Sequence, residues 1–271
     1  MKLAYSRVIL LPTLLLIILA TPMFIAATSN NITIATQSFK PTKASPLNYD
    51  FKLVNETVHI HPNADASVLI NYTIEFENYG SEFTYIDVGF PNHYYDISSV
   101  KAYWALEGHS FVELTDIDYS EVIEVGVEIY VPFAQRPGNG ERGTLIVWGT
   151  NHHMIYQDTV HSGYVGYEFI PTWYDPDYCR STDWLSVHLH FPTTFYNGTL
   201  AYYHYTEPTR HYNDANSLVY VWEYGTHTPG AIQHGISFPY DETYITTFYT
   251  VGFEEFWAIW GEIIIIIIAV I

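Results

Sequence analysis

A two-residue alternation between Ala66 and Asn78 constrains this chain more than any other feature. Val68, Ile70, Tyr72, Ile74 and Phe76 fall on one side, and Ser67, Asn71, Thr73, Glu75 and Glu77 fall mostly on the other. Successive side chains of a strand point to opposite faces, so this pattern predicts a long half-buried strand and argues against an amphipathic helix. The stretch before it, Tyr49–His61, alternates as well: Phe51 and Leu53 are followed, after an offset at Asn55, by Val58 and Ile60. Pro62, Asn63, Ala64 and Asp65 supply turn chemistry between the two runs. Together they predict a hairpin.

The same signal recurs along the chain. Tyr85–Phe90, Val100–Leu106, Ser110–Leu114, Val122–Val131 and Gly143–Gly149 read as short strands, the last two enclosing the turn signal Arg136–Gly140. A second series follows at Tyr164–Pro171, Leu185–Phe191, Thr199–Tyr205, Leu218–Glu223 and Ile232–Phe238. Short strands at this spacing, without helical periodicity, predict an all-β protein built as an antiparallel β-sandwich. The 25 Tyr, 15 Phe and 7 Trp suit pleated, half-buried surfaces. Two packed Ig-like units, 48–150 and 151–252, are the expected arrangement, with the two halves of one large sandwich as the alternative.

Both ends read as targeting segments. Lys2 and Arg7 precede the apolar run Val8–Ala20, and Ala26 and Ala27 offer small residues for cleavage, so 1–28 has the layout of a secretory signal peptide. Residues 29–47 form a Ser/Thr/Asn/Pro-rich tether. Within 253–271, Phe253, Phe256, Trp257 and Trp260 have the character of an interface belt, and six isoleucines follow Glu262. This reads as the start of a transmembrane helix, shorter than the roughly 20 residues that span a bilayer. A lipid bilayer is thus an expected partner, and a cell membrane with the domain outside the cell is the expected location.

Charge and cysteine use narrow the classes further. With 10 Lys and Arg against 29 Asp and Glu, the chain repels nucleic acid. Cys179 is the one cysteine, so no intramolecular disulfide staples the fold and its apolar core must hold it. Asn31, Asn55, Asn71 and Asn197 each begin an N-glycosylation sequon.

Four blocks carry a family resemblance: Asp87–Pro91 (DVGFP), Met154–Asp158 (MIYQD), Phe169–Trp173 (FIPTW) and Gly235–Pro239 (GISFP). They resemble successive motifs of a family of uncharacterised archaeal and bacterial membrane proteins, in which a secreted β-rich domain precedes a membrane helix. The resemblance covers most of 50–240. It implies a topology and a fold, and it brings no catalytic residues.

Two constellations invite chemistry. His188 and His190 lie two apart on an expected strand and so share a face, and His152, His153 and His161 lie in a loop-like stretch containing Asp158. Such a set can furnish three or four zinc ligands, although no HExxH motif is present. His59 and His61 repeat the spacing with no companions near in sequence. Trp173, Tyr174, Asp175, Asp177 and Trp184 crowd aromatic rings beside carboxylates, the chemistry of a saccharide site. A sandwich end capped by tryptophans and closed by turns is the plainer account of that stretch. No Gly-x-Ser-x-Gly elbow or phosphate-binding loop occurs.

The functional expectation from sequence is a non-enzymatic, membrane-anchored extracellular β-sandwich protein of a microbial cell envelope, presenting a surface to a protein or glycan. The alternatives are a secreted carbohydrate-active or metal-dependent hydrolase using 152–190, with zinc as cofactor, and a structural subunit of a surface assembly.

Overall fold

The computed structural model describes residues 49–192, 201–214, 216–240 and 245–250. The expected signal segment, tether and membrane segment, and the sequons at Asn31 and Asn197, lie outside the described residues. Among those described, structure is nearly all strand, and no helix is long and apolar enough to cross a membrane.

The predicted hairpin forms as β1 (Phe51–Pro62) and β2 (Val68–Asn78), paired antiparallel from Phe51 opposite Asn78 to Pro62 opposite Val68. The offset at Asn55 is a break in register between Leu53 and Asn55. Such a bulge swaps the faces that follow it. Phe51 and Leu53 face inward before it, and Glu56, Val58 and Ile60 face inward after it. Without the shift Asn55 would have been buried and Glu56 would have been solvated.

The remaining strands are β3 (Tyr85–Gly89), β4 (Lys101–Leu106), β5 (Val112–Leu114), β6 (Ile117–Tyr119), β7 (Gly126–Tyr130), β8 (Arg142–Asn151), β9 (Ile155–Gln157), β10 (Tyr164–Phe169), β11 (Cys179–Thr182), β12 (Leu185–Pro192), β13 (Tyr202–His204), β14 (Arg210–Asn213), β15 (Ser217–Tyr224) and β16 (His234–Pro239). They form three sheets. The largest runs β14-β15-β12-β1-β2-β8-β4-β5, with β11 also beside β1; a four-stranded sheet runs β13-β16-β10-β9, and a three-stranded one β3-β7-β6.

Pairing is antiparallel except where β1 meets β11 and β12, which run parallel to it. That parallel contact matters most for the site. It joins strands of the expected unit 48–150 to strands of the expected unit 151–252, so one nine-stranded sheet continues across the 150/151 boundary. Parallel neighbours need a long crossover, here more than a hundred residues.

One apolar core lies under the large sheet. Val58, Ile60, Ile70, Tyr72, Ile74 and Val147 from that sheet are buried with Val88, Val127 and Ile129 of the three-stranded sheet and Val165, Phe169, Ile236 and Phe238 of the four-stranded one. The layers also meet through polar contacts: the Tyr72 hydroxyl donates to the Gly89 carbonyl at 3.3 Å, and the Gly89 N–H donates to Thr172 Oγ1 at 3.0 Å. Cys179 is part of this core, and burial pushes its thiol up to about 11, which leaves it inert.

Candidate metal centre

The outer face of the large sheet carries a group of histidines. Downstream of the β1 bulge, Thr57, His59 and His61 point away from the core, and on β12 Ser186, His188 and His190 do the same. The parallel register sets His59 beside His188 and Ile60 beside Leu189. Four imidazoles therefore occupy neighbouring positions on two adjacent strands. Ring centroids are 4.6 Å apart for His59 and His188, 5.1 Å for His59 and His190, and 4.4 Å for His61 and His190.

Three of them converge. One nitrogen from each of His59, His188 and His190 lies within 4.8 Å of the others. His59 Nδ1 and His190 Nε2 are 2.9 Å apart, one donating to the other according to tautomer. His188 Nδ1 is buried and has no hydrogen-bond partner among the described residues. Zinc–nitrogen bonds of about 2.0–2.1 Å in a tetrahedron put donor atoms roughly 3.3 Å apart, so small side-chain rotations close this set around an ion.

Electrostatics favours the metal-ready protonation state. Burial, followed by the charges of neighbouring imidazoles, pushes His59 and His190 down to about 4. Burial also lowers His61 and His188, Arg210 adding to the effect on His188. All four rings are thus neutral at pH 7, with a lone pair each. Asp214, between β14 and β15, is held ionised by backbone N–H groups, chiefly that of Asn216, and its Oδ2 lies 3.8 Å from His190 Nδ1. That is the side of the ring opposite the His59 contact, where a carboxylate orients a ligating imidazole.

The five histidines expected as ligands occupy three places. His188 and His190 enter the cluster. His152 is exposed in the bend after β8, and the His153 ring lies between Tyr94 at 3.9 Å and Tyr249 at 4.0 Å. His161 precedes β10, where Nδ1 meets Asp158 Oδ2 at 2.9 Å and the ring stacks on Tyr202 at 3.7 Å. The missing partner was His59, 129 positions before His188 and visible in sequence only as a strand histidine spaced two from another.

The expected saccharide residues do not form one platform. Tyr174 is 8% exposed, edge-on to Phe51 and donating through its hydroxyl to the Asp87 carbonyl at 3.0 Å. Asp175 accepts from the Asp177 N–H at 2.8 Å, which closes a turn. Trp184 is exposed at the start of β12, and Trp173 is half-buried. Inward-turned and outward-turned rings cannot stack on one sugar. Of the described sequons, Asn55 lies at the bulge and Asn71 lies opposite His59.

No protein-family model matches the chain, and no curated protein matches it. Among solved structures it is similar to an M1 zinc metallopeptidase mutant from Deinococcus radiodurans bound to a Tyr-Ser-Ala substrate. There the identity is 12%, the TM-score 0.43, and the match covers 75% of this chain and 46% of that one. A two-domain M1 zinc metallopeptidase mutant bound to L-tryptophan matches at 10% identity and a TM-score of 0.40, over the same shares. The chain spans less than half the length of these structures. The expectation of a non-enzymatic, membrane-anchored display protein is corrected at this point. The converging histidine nitrogens on the large sheet give the described residues a candidate metal centre, which that expectation lacked.

Proposed function

We propose that this protein is a zinc-dependent hydrolase whose metal is held by His59, His188 and His190 on the outer face of the large sheet. The observation that carries the reading is the convergence of three neutral imidazole nitrogens from two parallel strands within 4.8 Å. Three histidine ligands leave one position of a tetrahedron open, and a metal in such a set supplies a water acidic enough to ionise near neutral pH. The protein's own contributions are separable. The β1/β12 register fixes where His59 and His188 stand, and the Asp214 carboxylate, 3.8 Å from His190 Nδ1, favours a proton on that far nitrogen. The half-buried surroundings keep all three rings neutral.

Zinc titration of the metal-free chain by calorimetry tests this, with hydrolysis of an activated ester read on the same samples. One zinc per chain is expected, with affinity and ester hydrolysis both lost in His188→Ala. Binding unchanged in that variant would sink the assignment. Binding lost without any hydrolysis in the parent would leave a metal site and remove the enzyme.

A further inference from the structure

Three residues before His59, on the opposite face of β1, Glu56 is 2% exposed. Its Oε1 has no hydrogen-bond partner among the described residues. The side chain lines a crevice together with Thr172, Trp173, His227, Pro229 and Ile232, and among the described residues no Lys or Arg lines it. The cavity has room for about one water-sized group and opens to solvent. A buried carboxyl without a counter-charge is costly, and apolar residues of similar volume would serve the core better. The arrangement is that of a receptor: one acid at the base, an aromatic ring and apolar residues around the mouth.

We propose that this crevice binds the ammonium head of a small primary amine, paired with the Glu56 carboxylate, with the amine's hydrocarbon lying against Trp173, Pro229 and Ile232. The size of the cavity selects an ammonium over a ring or a quaternary head. A divalent cation is disfavoured, because such ions take several oxygen ligands and the crevice offers one carboxyl. The site is separate from the histidine cluster, which lies on the other side of the sheet.

Proton accounting gives the proposal a distinctive readout. Burial raises the Glu56 acid well above the ordinary carboxylate range. The groups whose charges bear on this region are Tyr72, Tyr174 and Cys179, none of them cationic, and His227 at the rim. Burial without a counter-charge therefore favours the neutral carboxyl in the empty site. When R–NH3⁺ enters, the carboxyl O–H bond breaks, its proton leaves to solvent, and the ammonium N–H groups donate to the carboxylate. Amine binding is thus coupled to proton release.

The test is calorimetry of the chain with n-butylammonium at pH 6 in two buffers of different ionisation enthalpy, with n-butanol as the uncharged control. Saturable binding in the millimolar range, suited to so small a ligand, is expected. Net proton release on binding, no response to n-butanol, and loss of binding in Glu56→Gln complete the expectation. Retained zinc affinity in that variant, set by residues on the other face, shows that it is folded. Failure to bind butylammonium, equal binding of butanol, or binding unchanged in Glu56→Gln would each overturn the proposal.

Discussion

Two groups of histidines on this protein differ in what stands at their centre. At the β10 edge, Asp158 is the hub: its carboxylate accepts from the N–H groups of Val160 at 2.7 Å and His161 at 3.0 Å, and it meets the His161 ring at 2.9 Å and His204 Nε2 at 3.6 Å. His204 in turn meets Ser237 Oγ at 2.7 Å. On the large sheet, one nitrogen from each of His59, His188 and His190 converges with no carboxylate in the group among the described residues, and Asp214 stands outside them at 3.8 Å from the far nitrogen of His190. A network whose lone pairs and protons already match rigidifies a fold. Converging imidazole nitrogens that share only the His59–His190 hydrogen bond leave room for a cation. Histidine content is similar in both places, and the position of the carboxylate separates structure from site.

The sharpest way to break this comparison is to remove one histidine from each group. His59→Ala should weaken zinc binding by at least about 100-fold, because two imidazoles cannot replace three. His161→Ala should leave zinc binding within about twofold and lower the melting temperature instead. If the two variants exchanged effects, the assignment of the two groups would be reversed.

Asp158 supplies the next contrast. Burial works against its ionisation, but backbone N–H groups led by His161, with the Ser237 hydroxyl and the His161 ring, hold the carboxyl at about 2. Its side chain is 3% exposed, so solvent screens these contacts little. A folded value below the unfolded one, near 3.9, contributes stability that is present above pH 4 and disappears as pH falls toward 2. Asp158→Asn should therefore cost about 2 kcal/mol at pH 7 and progressively less from pH 4 to pH 2. Urea unfolding at both ends of that range measures it. A constant difference across pH would mean that the charge of Asp158 contributes nothing. Asp214→Asn should leave stability nearly unchanged and weaken zinc binding about 10-fold, the usual size of an orienting carboxylate's effect.

The contrast also marks how far the sequence could be read. Alternation in 66–78 is local, and its inward-facing members Val68, Ile70, Tyr72, Ile74 and Phe76 are all buried, while Leu69, between two of them, is exposed as the alternation requires. The Asn55 offset was legible for the same reason, since a bulge shows as a phase shift in the pattern. Strands of three or four residues such as β6, β9, β11 and β14 carry too few residues to set a phase, and they were missed. The β1/β12 contact is different in kind. No periodicity in either strand says which neighbour it will take, and parallel partners come from distant sequence. His59 therefore looked companionless while His188 looked like the partner of nearby loop histidines. The elements of the site were legible, and its assembly across the sheet was not.

The smallest effect examines why the Asp158 group is closed to other uses. Ser237 is fully buried, and its hydroxyl lies between His204 and Asp158. A Cβ added at Gly166, directly opposite on β10, would stand 2.7 Å from that same oxygen. Gly166 therefore gives the hydroxyl the space in which it bonds to His204. Ser237→Ala should cost about 1 kcal/mol, the worth of one buried hydrogen bond. Gly166→Ala alone should cost a similar amount, through the displaced oxygen. In the double variant the two losses should not add, because the obstructing atom is gone and the nearest remaining contact, the Ile236 carbonyl oxygen, is at 3.7 Å. A favourable coupling of roughly 1 kcal/mol in a double-mutant cycle is the expected result. Strict additivity would mean that the serine hydroxyl is held by something other than the gap Gly166 leaves. The contrast between a finished network and an open donor set would then have to rest on Asp158 alone.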